Sequence, residues 1–202
     1  MSKLKWIFFW IALAGMQPTW GSMQNPLTLV QETSNQVLAK VTDRKQELNN
    51  SPEKIVDLVT NIVVPHFDFS RMSRLVLGKH WRKASDAQKS DFIRQFQSLL
   101  IRTYAIALLN YSDQAIEYLP MHEQADASDV MVNTEVKSSG APPIPINYRL
   151  HLKEGCWKVY DVIIDNISLV SNYRTGFSNK IRRNGLDSLI AQLKKKNEKV
   201  TE

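Results

Sequence analysis

At Ser112-Asp113 the hydrophobic period of this chain changes. Upstream, apolar residues recur three or four apart; downstream they alternate with polar ones. Side chains three or four apart share one face of a helix, whereas alternate side chains share one face of a strand, so a segment written in one period does not settle into the other element. Helices come first, then a run of strands, then a helical end, which is the order of an α+β domain with helices on one face of a sheet.

The helical half carries its own punctuation. Asn25-Pro26 reads as a helix cap followed by proline at the first helical position, and Leu27, Val30, Val37, Leu38, Val41 and Leu48 form the apolar stripe of a first helix. Asn49-Asn50 ends it. Ser51-Pro52 starts a second helix, with Ile55, Leu58, Val59, Ile62 and Val63 on one side, stopped by Pro65. A short helix over Arg71 to Leu77 closes at Gly78. Ser85 and Gln88 then make a capping box for a long helix reaching about Tyr111, roughly 40 Å if unbroken. Its main stripe includes Phe92, Phe96, Leu99 and Leu100, yet Ile93, Ile101, Ile106 and Leu109 lie outside that stripe, so the helix must be covered on more than one side.

In the strand half, Ile116 and Tyr118 start the alternation. Val130, Val132, Thr134 and Val136 then alternate with polar residues or Met131, and Ile146, Tyr148, Leu150 and Leu152 alternate with Asn147, Arg149, His151 and Lys153. Such patterns predict antiparallel strands with one apolar and one wet face. The strand from Trp157 to Ile164 is apolar on both sides and belongs at the centre or under the C-terminal segment. Ser171 to about Arg183 and Leu186 to Lys196 read as helical, broken at Gly185. The whole is an α+β domain: N-terminal helices and a C-terminal helix on one face of a twisted antiparallel sheet of about four strands.

Compartment follows from the first residues. Lys3 and Lys5 precede an apolar run from Trp6 to Leu13, and Thr19 and Gly21 supply small residues two apart, so residues 1–21 read as a cleaved signal peptide and 22–202 as one exported domain. Gln17-Pro18 interrupts the run too early for a membrane span. Removing Lys3 and Lys5 from the formal charge of +6 leaves +4 for the mature chain. That excess suits anionic lipid headgroups or acidic protein surfaces, and export argues against nucleic acid. Cys156 is the sole cysteine, so no internal disulfide forms; beside Trp157 in a strand it reads as a small buried hydrophobe. His66, His80, His122 and His151 are scattered without metal-ligand spacing, and no metal or cofactor is expected.

Two blocks of residues carry a resemblance. From Gly155 to Phe177 an aromatic strand ends in Asp165-Asn166 and passes through Ile167-Ser168-Leu169-Val170 into Asn172-Tyr173-Arg174 and Phe177. In the other block, Phe67-Asp68-Phe69, Met72, Arg74, Val76-Leu77-Gly78, Trp81-Arg82, Ala84, Gln88, Phe92, Phe96, Leu99-Leu100, Thr103-Tyr104-Ala105 and Ala107-Leu108 stand in matching order. The chain thereby resembles the MlaC family of periplasmic phospholipid carriers, known also as auxiliary components of toluene-tolerance transport. The family usually has an acidic residue and then Gly before the Ile-Ser pair, where this chain has Asp165-Asn166. Asn tolerates the left-handed backbone nearly as Gly does, so the turn is expected to be kept.

The resemblance implies a deep apolar pocket between sheet and helices, and a carrier that serves outer-membrane lipid asymmetry. It also implies its partners: phospholipid, an outer-membrane lipoprotein/porin complex, and an inner-membrane ABC transporter reached through its exported substrate-receiving protein. Expected lipid contacts are Phe67, Met72, Leu75, Val76, Phe96, Leu100 and Tyr104 from the helices, with Val132, Tyr148, Leu150, Tyr160, Val162 and Ile164 from the sheet. The last three are chosen because Asp161 on the opposite face resists hydrocarbon. Arg71, Arg74, Lys79, Arg82 and Lys83 form the densest basic cluster, read as a docking surface or as a solvated face whose arginines pair with local carboxylates.

Two other classes fit the same elements. A small cystatin-like enzyme would place Asp161 or Asp165 with Tyr160 or Tyr148 inside an apolar pocket. An exported adaptor would have the same helices and sheet around a filled core.

Overall fold

The computed structural model describes residues 25–51, 53–110, 114–121 and 127–199. The expected leader and the Ser112-Asp113 switch lie outside the described residues. Among the described residues six α-helices and five strands follow in the expected order. Helix α1 (Pro26–Asp43) is capped by the Asn25 side chain, which accepts from the N–H groups of Leu27 and Thr28. The stripe expected to run on to Leu48 breaks at Arg44, after which α2 (Lys45–Asn50) begins. Helix α3 (Glu53–Ile62) passes through a single tight turn at Val64–His66 into α4 (Phe69–Leu77), closed by Gly78 at φ 52. A second tight turn, Gly78–Lys83, leads to α5 (Asp86–Ala105). The Ser85 and Gln88 capping box is present in both directions. The last turn and a half expected of α5 winds more tightly over Ile106–Asn110.

Strands β1 (Ala115–Tyr118), β2 (Asp129–Lys137), β3 (Ile144–Lys153), β4 (Cys156–Ile164) and β5 (Ile167–Ser168) make one antiparallel sheet in sequence order. The fifth strand exceeds the expected four because Asp165 and Asn166, both left-handed at φ 48 and 63, fold two further residues back onto β4. Helix α6 (Leu169–Lys199) starts there and is broken at Gly185, with φ 81 and ψ 167. Asp161 is buried and fixes that start. It accepts from the Ser168 hydroxyl at 2.7 Å and the Val170 N–H at 3.1 Å.

The apolar face of the sheet carries rows set by register: Val132, Tyr148 and Val162; Thr134, Ile146 and Ile164; Val136 and Ile144. Helices α4, α5 and α6 fill one end of that face with Met72, Val76, Phe92, Phe96, Phe177 and Leu189. A second core, built on Val37, Val41, Leu48, Ile55, Leu58 and Ile101, joins α1, α2, α3 and the end of α5. Among the described residues no helix is long and apolar enough to cross a membrane.

Candidate functional site

Between the two cores the packing stops. A cavity of about 500 Å³ lies there, within the range of small-molecule sites. Its roof is α1, through Leu29, Val30, Thr33, Ser34, Val37 and Leu38; its floor is Ile116, Thr134, Val136, Ile144 and Ile146, with Tyr148 and Val159 inward. Val63, His66 and Phe67 close one side, and Ala107 and Leu108 another. Phe67 is held there by a bridge to Val159, and the next N–H, of Asp68, donates to the Val159 carbonyl at 2.8 Å.

Three polar side chains of this wall, Thr134, Tyr148 and Ser34, are turned to one another. The Thr134 hydroxyl donates to the Ile146 carbonyl at 2.6 Å. The Tyr148 phenol is hydrogen-bonded to the side chains of Thr134 and Ser34, linking floor to roof; burial, with Tyr118 nearby, nevertheless pushes it up to about 12. It stays neutral at physiological pH. Burial and the neighbouring Lys158 push His66 below its ordinary value, so this ring too favours its uncharged form. Among the described residues no Asp or Glu lines the cavity. A wall of aliphatic carbon whose polar side chains include no carboxylate, lysine or arginine accepts hydrocarbon without leaving a desolvated charge.

Two of the expected contacts, Phe67 and Tyr148, stand in this wall. Met72, Val76, Phe96, Leu100, Val132, Leu150 and Val162 are instead interior to the first core, with Leu75, Tyr104, Tyr160 and Ile164 packed against it. Alternation chose the correct face of β2 and β3; the cavity lies further along it, over the rows nearest the β2–β3 hairpin. For β4 the expected phase shifts. Arg149 pairs with Asp161 but Leu150 with Val159, leaving Tyr160 as the extra residue of a bulge. Val159 therefore faces the cavity. The Tyr160 ring lies under the Arg71 guanidinium at 4.0 Å and edge-on to His151.

The roof residues of α1 are not among the expected contacts, because an apolar helical stripe alone does not distinguish cavity wall from packed core. The roof's signal was a gap: the stripe leaps from Val30 to Val37, and Thr33 and Ser34 stand between. Short polar side chains on an inward face leave space beneath them. Cys156 also differs from expectation, being exposed rather than buried, because it opens β4 at the hairpin edge. For the enzyme alternative, Asp161 is occupied in holding α6 and Asp165 is exposed in a turn.

Within the expected basic cluster, Arg71 pairs with Asp129 at 3.1 Å. Arg74, Lys79, Arg82 and Lys83 are exposed, and none of the five lines the cavity.

Comparison with known proteins bears on what the cavity is for. The family model described as MlaC protein matches residues 31–195. The chain belongs to the MlaC family. It is 24% identical over 172 residues to the intermembrane phospholipid transport system binding protein MlaC of Haemophilus influenzae, covering 84% of this chain and 80% of that one. It is 29% identical over 165 residues to the toluene tolerance protein ttg2D of Pseudomonas putida, covering 81% and 76%. A solved phospholipid-binding protein from Ralstonia solanacearum, in complex with a phospholipid, aligns with TM-score 0.81 and 31% identity over 89% of this chain and 100% of that one. The MlaC fold is thus shared with a structure that holds a lipid.

Proposed function

We propose that this protein is a soluble phospholipid carrier of the periplasm, exported by cleavage of residues 1–21. The observation that carries the reading is the apolar cavity between α1 and the sheet, in a fold shared with a phospholipid-bound structure. Exposing an acyl chain to water costs about 0.8 kcal/mol per methylene, so a lipid with roughly 30 methylenes resists leaving a bilayer by on the order of 20 kcal/mol. No surface patch offsets that. A carrier must enclose most of the hydrocarbon, and the wall described above is of the apolar kind such a site requires, while the headgroup stays in water.

On this reading Phe67 and Tyr148, with the α1 roof, touch the chains. The other expected residues, Met72, Leu75, Val76, Phe96, Leu100, Tyr104, Val132, Leu150, Tyr160, Val162 and Ile164, are the packed shell that the wall rests on. Delivery runs between an outer-membrane lipoprotein/porin complex and an inner-membrane ABC transporter with its exported substrate-receiving protein, and needs no catalytic group. The experiment is uptake. Delipidated protein incubated with vesicles containing a fluorescent phospholipid should come away with the label after the vesicles are removed. Protein that leaves bare defeats the carrier reading.

A further inference from the structure

Nine of the 26 Lys and Arg residues fall in two stretches that no acid interrupts. Residues 69–85 contain no Asp or Glu, and neither do residues 166–186. These two stretches are far apart in sequence yet packed together. The Arg174 guanidinium lies over Gly78, within 3.3 Å of where a Cβ there would stand, and α6 also packs against α4. Lys79, Lys83 and Arg182 all act on His80, whose burial together with these cations holds its pKa below the ordinary value. Arg74, Lys79, Arg82, Lys83, Arg174 and Arg182 are exposed, and among the described residues none of the six is in an ion pair. The bordering carboxylates are engaged: Asp68 with His151 and Lys153, Asp86 with Lys89, Asp187 with Gln88, and Asp129 with Arg71 of α4, which is why Arg71 is not counted among the six.

Two features decide which anion suits this face. Among the described residues the exposed large hydrophobic side chains are Ile106, Met131, Ile144 and Ile167, so the six cations surround no exposed apolar centre of the kind on which stable protein interfaces are built. Nor do the six line the apolar cavity or the smaller hollows beside Asn197 and Lys153, so none of these imposes a fixed acceptor geometry on them. Long cationic side chains without register fit an anion supply that is itself fluid. We propose that the acid-free face formed by α4, the turn at Gly78–Lys83 and α6 adsorbs electrostatically to the surface of a bilayer containing anionic phospholipids. Each Lys or Arg near such a surface adds attraction that decays within a Debye length, so the contact is reversible and salt-sensitive. Because none of the six lines the cavity, adsorption and cargo are separate properties.

Vesicle flotation tests this. The purified protein should float with vesicles of equal parts phosphatidylcholine and phosphatidylglycerol, stay behind with pure phosphatidylcholine, and be released by salt. The variant Lys79→Gln/Lys83→Gln/Arg182→Gln should partition on the order of 10- to 100-fold more weakly, whereas Lys79→Arg/Lys83→Arg should bind as the parent does. Its content of co-purified lipid should not change. Absence of binding to the anionic vesicles, equal binding to neutral ones, or undiminished binding by the triple variant with an unaltered melting curve would each overturn the proposal. A face that captures only an acidic protein would fail the vesicle assay and so count against it. Loss of lipid uptake alone would strike the carrier reading and leave this one standing.

Discussion

The carboxylate of Asp68 lies 3.1 Å from Nε2 of His151, with both side chains buried. The same carboxylate accepts from Lys153 at 3.1 Å and from the Arg71 N–H at 2.8 Å, capping α4. Its backbone N–H reaches β4 at Val159. One residue thus ties the start of α4 to β3 and β4, immediately after Phe67 of the cavity wall.

Burial alone would raise the Asp68 carboxyl, but the Arg71 N–H, Lys153 and His151 outweigh it and hold the group below its ordinary 3.8. A folded value below the unfolded one means that the stabilisation is complete above the unfolded pKa and is lost as pH falls through the folded value. Asp68→Asn is expected to cost about 2–4 kcal/mol at neutral pH. Denaturant melts should show that gap shrinking once the pH drops below about 4. Equal stability at neutral pH would remove the tie.

Ser34 projects from the roof toward Tyr148. Ser34→Trp should fill part of the cavity and lower co-purified lipid severalfold, at a stability cost of about 1 kcal/mol from the lost hydrogen bond. Extraction and phosphate assay give the lipid content; an unchanged ratio would mean that acyl chains do not run beneath Ser34.

Cys156 is exposed at the start of β4. It should react completely with a maleimide in the native protein, at a rate little changed by denaturant. Protection in the folded state would contradict its placement.

Ser85→Ala removes the acceptor for the Gln88 N–H at the head of α5. The expected loss is about 1 kcal/mol, read as a lower denaturation midpoint with an unchanged slope.

These residues also show what the sequence could reveal. The Ser85 and Gln88 box, the break at Gly185 and the left-handed Asp165-Asn166 pair were legible because each is a local backbone requirement with its own residue types. The face of β2 and β3 was legible because alternation fixes it. Depth along that face was not: Val132 and Thr134 alternate identically, yet one is interior to the core and the other lines the cavity, since helices from elsewhere in the chain decide where packing stops. Tyr160 escaped for a different reason. A bulge adds one residue between two good strand formers and leaves no mark in composition, so the phase of β4 changed unseen.

Whether the cavity holds lipid is tested most directly by native mass spectrometry of gently purified protein. A bound mass matching phospholipid is expected, released on denaturation and diminished in Ser34→Trp. Bare protein, recovered from several hosts and unable to take up lipid afterwards, would contradict it.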